Sequence, residues 1–389
     1  MINIVDKQDC VGCSACVSVC PKKCISFKED DEGFLYPKVN ESLCVNCGLC
    51  DRVCPVIQSG EQHRPIDVFS AKNDDSDVLM RSSSGGVFYA MARKVIEDGG
   101  VVFGAQFDDA QVVEHSYTDT VDDLKRFQGS KYSQSVMGGS FTSVKKFLDA
   151  GRKVMFTGTP CQVAGLRLYL RKDYGDLLLL VDVICHGVPS PLVWRKYLDM
   201  VAEKHGGSGA KIKKVTFRDK RLGWENYGMA ISFGGDSAPT EYFENHEHNI
   251  FMRGFLKNFY LRPSCFACPA KGGRAGSDVT LGDFWGIKQV SECDHDDKGV
   301  SVLLIHTDKG ARAVNNCGVS LKKSDYESAL RYNSAISESV PPTKWQKCFW
   351  WEWQRKGVEA IEYTLKKSNP CILKRAWRKL GRIVKRILK

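Results

Sequence analysis

Hydrophobic and polar positions along this chain change period several times, and the changes divide it into parts. Residues 25–27 and 35–39 alternate as short strands do, and the polar run 29–33 between them predicts a turn. Residues 58–65 lose the periodicity, are mostly polar and hold Gly60 and Pro65, which predicts a linker. From there, strand-like and helix-like stretches take turns. Strands are expected over 68–71, 101–107, 112–117, 153–156 and 178–184. Helices are expected from 82–86 to about residue 98, where Gly99 and Gly100 stop the pattern, and over 141–150, 160–170 and 191–204. Such alternation implies a largely parallel sheet. Further strands are expected over 212–217, 279–281 and 302–306, and the chain beyond about 325 reads as helical. The most apolar run, 177–184, is short and interrupted by Asp182, so it reads as a buried strand rather than a membrane span.

The expected fold class is therefore α/β: a small α+β segment over 1–57, a linker over 58–65, a mixed and largely parallel α/β domain over 66–320, and a helical extension over 325–389. A length of 389 residues suits two or three such units.

The chemistry begins in the first 57 residues. Cys10, Cys13, Cys16 and Cys20 are followed by Pro21, and the same spacing returns at Cys44, Cys47, Cys50, Cys54 and Pro55. This is the spacing of a bacterial-type ferredoxin with two [4Fe–4S] clusters, in which the fourth cysteine of each run binds the other cluster. A cubane needs four thiolates at four corners. Three closely spaced cysteines on a tight loop cover three of them, and the proline then turns the chain away. One cluster is thus assigned to Cys10, Cys13, Cys16 and Cys54, the other to Cys44, Cys47, Cys50 and Cys20. Gly12, Ser14 and Gly48 keep the loops small enough for backbone N–H groups to approach the sulfurs. Zinc sites use separated pairs rather than runs of four. The opening residues lack the basic and apolar segments of a secretory signal, so a reducing compartment is expected and disulfides are not. Cys24 falls outside the pattern and reads as a packed thiol; Cys293, Cys317, Cys348 and Cys371 read as structural.

A second set of cysteines lies in the α/β part. Cys161 follows one expected strand and Cys185 follows the next, and in a parallel sheet the carboxyl ends of strands share one edge, where ligands bind. Cys265 and Cys268 form a CxxC pair. Four thiols are enough for a third [4Fe–4S] cluster; a zinc or redox pair with two buried cysteines is the competing reading. His186, beside Cys185, is a candidate catalytic proton donor, given an ordinary pKa of about 6.5, or a hydrogen-bond partner of the cluster or backbone. Asp278 and Asp283 flank a strand and suit flavin or ribose hydroxyls, or a turn. Lys271 and Arg274 could neutralise a cluster, a diphosphate or an acidic substrate, or simply face water.

The net charge of +10 is unevenly spread. Eight basic residues and no acidic one lie over 371–389, and without them the chain has 48 basic against 46 acidic side chains. The charge therefore describes the tail and does not point to nucleic acid. Leu373, Trp377, Leu380, Val384, Ile387 and Leu388 recur there at helical spacing, which suits either an anionic membrane surface or packing on the body or a partner.

Ser84-Gly85-Gly86, Gly158-Thr159-Pro160-Cys161-Gln162, Cys185-His186-Gly187-Val188-Pro189, Cys265-x-x-Cys268 and Ser277-Asp278-Val279-Thr280-Leu281-Gly282-Asp283-Phe284-Trp285-Gly286 occur in that order. Over about residues 66 to 310 the chain resembles the coenzyme F420 hydrogenase/dehydrogenase beta-subunit family. The resemblance implies an FAD-containing electron-transfer domain with its own cluster, held by Cys161, Cys185, Cys265 and Cys268. It also implies flavin contacts from Ser84, Gly85 and Gly86 and from Thr157, Gly158 and Thr159, with Asp283 a further candidate. Glycine lets a backbone approach a ligand and a helix N-terminus favours phosphate, although no G-x-G-x-x-G fingerprint is present. The fused ferredoxin segment and the long extension depart from stand-alone beta subunits, so the family name does not fix F420 as substrate. The expected function is an iron–sulfur flavoprotein oxidoreductase of the cytoplasm or the inner membrane face. It would pass electrons between a redox partner or soluble carrier and an organic two-electron substrate. An electron-relay subunit without its own substrate and a cluster-based redox sensor are the alternatives.

Overall fold

Parallel strands form the middle of the main sheet because their sequences are apolar on both faces. In the computed structural model, which describes all residues except 208–210, 235–239, 291–295 and 370–389, β4 (Val101–Phe107), β6 (Val154–Gly158), β7 (Leu178–Val183) and β11 (Val279–Asp283) run side by side in one direction. Their residues alternate between two cores. Val101, Phe103, Val154, Phe156, Leu178 and Leu180 face one side, while Val102, Met155, Leu179, Val181, Val279 and Leu281 face the other. Such continuous burial is what parallel strands require.

Antiparallel strands extend the sheet at both sides. The full order is β13 (Ser320–Lys323), β3 (Asp67–Lys72), β12 (Ser301–Ile305), β11, β7, β6, β4 and β5 (Val113–Thr118). Five of the eight strands point the same way, so the mixed, largely parallel α/β expectation describes the sheet. A separate antiparallel sheet of β8 (Lys211–Asp219), β9 (Gly228–Gly234) and β10 (Thr240–Asn245) was not foreseen beyond its first strand. Its glycine-bounded strands lie between segments whose helical or turn character masks the alternation.

At the N-terminus, β1 (Ile25–Glu29) and β2 (Leu35–Val39) pair antiparallel, with two short helices, α1 (Ala15–Val19) and α2 (Leu49–Arg52), beside them. The next helices in the chain are α3 (Ser76–Arg81), α4 (Val87–Glu97), α5 (Ser140–Asp149), α6 (Pro160–Leu170), α7 (Pro191–Val201) and α8 (Ile250–Leu256). Three more, Tyr326–Tyr332, Lys344–Lys356 and Ala360–Ser368, follow in the extension. The basic tail, with Cys371, lies outside the described residues, as does Cys293.

Helix boundaries follow local chemistry. Helix α6 starts with Pro160 at its first position and the Thr159 N–H donating to Gln162 Oε1 at 2.9 Å. Helix α4 begins after Gly86, whose φ of 77° is a left-handed conformation, and ends where Gly99 (φ 80°) turns the chain. Unlike α4, α6 is buried nearly all round, because it is covered on its outer side as well. Val11, Cys13, Ala15 and Val53 of the N-terminal segment join the same core as Val163, Leu166, Phe141 and the sheet. The intervening chain is tied down too: Ser59 Oγ donates to the Pro269 carbonyl at 2.9 Å and the His63 N–H to that of Gly272 at 3.1 Å.

No helix of the described residues is long and apolar enough to cross a membrane. Phe141 is fully buried between Phe156 and Tyr169, with ring centroids at 5.9 and 5.8 Å. Phe141→Ala is expected to cost about 3–5 kcal/mol by cavity formation, read as a lower midpoint in urea unfolding.

Candidate redox centres and groove

The eight N-terminal cysteines divide between two cavities as their spacing predicts. Cys10, Cys13, Cys16 and Cys54 line one, together with Pro55. Cys44, Cys47, Cys50 and Cys20 line the other, together with Pro21. The loops around them repeat in conformation as well as in sequence. Gly12 (φ 70°) and Ser14 (φ 69°) match Asn46 (φ 51°) and Gly48 (φ 69°), 34 positions later. These left-handed residues curl each loop around its cavity. The Ile2 N–H points at Cys50 Sγ, 3.2 Å away. Cys24, expected to be a packed thiol, is buried, lines the second cavity and lies 3.3 Å from Cys20 Sγ. Its hydrogen bond to Cys20, with burial, pushes its thiol up to about 11.

The two cavities differ in depth. Cys13 is buried and touches the body: a Cβ built on Gly165 of α6 would lie 2.8 Å from Cys13 Sγ. Cys47 is exposed, and Leu43 and Val45 beside it are more than half exposed. The Cys10 set is thus proximal to the α/β domain and the Cys44 set faces outward.

At the carboxyl edge of the parallel strands, Cys161 and Cys185 stand just beyond β6 and β7, and the Cys265-x-x-Cys268 segment reaches them from a short 3-10 turn, Pro263–Ala267. The four thiols are electrostatic neighbours. Burial pushes Cys161, Cys185 and Cys265 up to about 12, and their mutual repulsion and that of Cys268 add to it. Cys13 senses the Cys161 charge as well. Among the described residues no three Cys, His, Asp or Glu side chains close on one point as ligands of a single ion do. A cubane does not ask for that, since each thiolate binds a different iron.

His186 Nε2 lies 2.7 Å from Asn258 Oδ1, and burial lowers its pKa. Its ring meets Phe255 at 5.1 Å. Phe255 meets Tyr132 at 5.0 Å, and Tyr132 meets Phe217 at 5.2 Å. Phe217 lines an open groove of about 1370 Å³, so a row of rings leads from that groove to the residue next to Cys185. Ten lysines and arginines line the groove against three aspartates. Its volume is generous for a dinucleotide, as small-ligand pockets run ~300–1,000 Å³. Lys131 in its wall is pushed down to about 7 by burial, and its acceptors are the carbonyls of Gln128 and Gly129. Lys220 is also pushed down to about 7 by burial, but the carbonyls of Leu79, Ser84 and Lys298 accept from it at 2.9, 3.1 and 2.6 Å and favour its charged form.

None of Ser84, Gly85, Gly86, Thr157, Gly158, Thr159 and Asp283, the residues expected at a flavin, is among those that line this groove. Ser83 lines it and accepts from the Ser130 N–H at 2.7 Å. Ser84 Oγ donates to the Val300 carbonyl and the Gly85 N–H donates to Ser301 Oγ; a Cβ on Gly85 would fall 2.2 Å from the Ala71 carbonyl oxygen. That glycine is required by strand packing. Thr157 Oγ1 donates to the Phe103 carbonyl, Gly158 packs against Gln162, and Thr159 Oγ1 lies 3.2 Å from Cys161 Sγ. These three sit at the end of β6 beside Cys161. Asp283 is engaged by both Arg218 amino groups, at 2.8 and 3.2 Å, and by Trp224 Nε1 at 3.1 Å. The groove itself escaped the sequence reading. Its lysines and arginines come from α3, from the chain before α5 and from β8, segments with no common motif.

Comparisons with known proteins identify two segments of the chain. Residues 151–327 match the family model for the C terminus of the beta subunit of coenzyme F420 hydrogenase/dehydrogenase, and residues 9–57 match the 4Fe-4S dicluster domain. No curated protein matches the chain. Among solved structures, the F420-reducing [NiFe] hydrogenase complex from Methanosarcina barkeri, determined as a xenon derivative, is similar at 18% identity. The match covers 79% of this chain and 93% of that one, with a TM-score of 0.44.

Gly12 and Gly48 separate conformational strain from collision. Both need a left-handed backbone, which costs a non-glycine residue roughly 1–2 kcal/mol. Only at Gly12 would a Cβ also strike Gln134 Nε2 at 2.7 Å and Arg262 Nη1 at 2.9 Å; at Gly48 nothing lies within 4 Å. Gly12→Ala should therefore lower the thermal midpoint and the iron content of the purified protein more than Gly48→Ala does.

Proposed function

We propose, from the matches of residues 9–57 to a 4Fe-4S dicluster domain and of residues 151–327 to the C terminus of an F420 hydrogenase/dehydrogenase beta subunit, that this iron–sulfur electron-transfer protein is an FAD-dependent oxidoreductase with three [4Fe–4S] clusters. The observation that carries the reading is the convergence of Cys161, Cys185, Cys265 and Cys268 at the sheet edge, with Cys161 next to the proximal ferredoxin cysteine Cys13. Four thiols with no iron between them would repel one another on ionisation; four irons and four sulfides take up that charge.

The residues divide the work by position. Cys47, Leu43 and Val45 expose the outer set to a soluble redox partner. Cys10, Cys13, Cys16 and Cys54 hold the middle set, and the Cys161 set lies behind it at the end of β6 and β7. Phe217, Tyr132, Phe255 and His186 fill the space between that set and the basic groove. The groove would bind the FAD diphosphate, with Lys131 and Ser83, the first residue of the Ser83-Ser84-Gly85-Gly86 turn, at its wall. FAD supplies the exchange between one-electron and two-electron chemistry, and with it reduction of an organic substrate, F420-like or other. His186 donates to Asn258 while burial lowers its pKa, which suits it to orient the wall of the site and to pass a proton to a substrate bound there.

Anaerobic reconstitution tests the whole. About 12 irons and one FAD per chain are expected by the four-iron count, with Cys265→Ser losing about four irons. About 8 irons and no flavin would leave an electron relay.

The groove makes its own prediction. An anionic ligand raises the Lys131 pKa back from about 7, so binding takes up a proton above that pH. FAD affinity should fall between pH 6 and 9, and Lys131→Gln should weaken binding at pH 6 and flatten that slope, as read by flavin fluorescence titration.

A further inference from the structure

Arg262 is fully buried, yet among the described residues none of its hydrogen-bond partners is a carboxylate. Its Nε donates to the Cys10 carbonyl at 2.7 Å, and one Nη reaches Cys10 Sγ at 3.4 Å and the Leu35 carbonyl at 3.0 Å. The other Nη donates to Gln134 Oε1 at 2.9 Å. Its plane lies over Tyr36 at 4.3 Å and near Phe34 at 5.4 Å. A guanidinium cannot shed its proton, and a buried charge without a counter-charge is strongly disfavoured. Something anionic must therefore face it.

Two groups of sulfurs do. Cys10 of the proximal ferredoxin set is in direct contact. On the other side, the Arg262 main chain runs straight into the CxxC turn: the Cys265 N–H donates to the Arg262 carbonyl at 2.9 Å and the Arg262 N–H to that of Val188 at 3.0 Å. Val188 joins the two, since its carbonyl accepts from the Arg262 N–H while its own N–H donates to Cys265 Sγ at 3.4 Å. Gly12 leaves room for the side chain, and Gln134, which also donates to the Val11 carbonyl at 3.0 Å, fixes its direction.

We infer that Arg262 is the shared counter-charge of two iron–sulfur sites, the Cys10 set and the Cys161 set. It raises the reduction potential of both together, so that an electron passing between them meets matched sites rather than one that holds it more tightly than the other. Each passage oxidises one site by one electron and reduces the other by one, and no bond or proton changes place. A cluster with four thiolates is net negative and becomes more so on reduction, so a fixed cation beside it favours the reduced form. Arg262 acts here through the sulfurs as a positioning and tuning residue. The inference rests on the proposed third site.

The test uses the full chain, reconstituted anaerobically as wild type, Arg262→Lys and Arg262→Gln. Iron content is measured, and a redox titration is followed by electron paramagnetic resonance, with Cys44→Ser and Cys161→Ser assigning the signals. In Arg262→Gln the Cys10 and Cys161 sites should each hold the electron at least about tenfold more weakly, a fall of ~59 mV for a one-electron couple. The outward Cys44 site should stay in place, and Arg262→Lys should restore most of the loss. Full iron with unmoved potentials, or three potentials moved equally, would overturn the role of Arg262. Should Arg262→Gln lose iron, Arg262→Lys decides: wild-type potentials support a charge role, whereas the same loss of iron reduces Arg262 to a structural clamp and overturns the proposal. Eight irons in the wild-type chain would instead overturn the third site, and the sharing with it, whatever the variants do.

Discussion

Everything about this molecule as a conductor depends on the seam between α1 and α6. Helix α6 carries Cys161 on its first turn and Gly165 one turn later, and at Gly165 the absence of a side chain lets Cys13 lie directly on the helix. The N-terminal segment is therefore not an appendage on a tether. Val11, Cys13, Ala15 and Val53 share an apolar core with the sheet and with α5 and α6. Burial of that seam holds the two sets of cysteines together, and the Arg195–Glu29 pair and the Arg262 hydrogen bonds to the Cys10 and Leu35 carbonyls add to it.

A second constraint comes from strand direction. Because β4, β6, β7 and β11 are parallel, their carboxyl ends share one edge, and whatever follows each strand meets there. Cys161 and Cys185 follow two of these strands. The groove begins at the end of a third, at Phe107, and Asp283 ends the fourth. The basic groove thus opens at the same edge as the thiols, with the rings of Phe217, Tyr132, Phe255 and His186 between them. It stays partly desolvated because its walls include a second sheet, and that sheet supplies Phe217 and the Arg218–Asp283 pair that ties the two sheets together.

Much of this was legible in the chain itself. The spacing of the two cysteine runs grouped Cys54 with Cys10, Cys13 and Cys16, and Cys20 with Cys44, Cys47 and Cys50, and in the fold each group lines one cavity. The strands of the main sheet were found nearly to the residue where both faces are buried, as at β4 and β7. Helix α6 was found outright because proline and a capping residue mark its start. The strands of the second sheet after β8 were missed. Their alternation is weak, and their pairing depends on partners that only the folded chain brings near.

The sequence by itself determined the kind of chemistry, because cubane ligation imposes a spacing short enough to survive as a local motif. It also determined that Cys161 and Cys185 share an edge, because parallel strands leave no other arrangement. Only the tertiary structure decided which ferredoxin set is proximal, that Cys24 sits beside Cys20, and that Asp283 is consumed by Arg218. Only there do ten basic residues from separate segments form one groove, and only there does Arg262 stand between two groups of sulfurs. Charges and contacts between residues more than a hundred positions apart leave no periodic trace in a chain; they are set by how its faces are buried against each other.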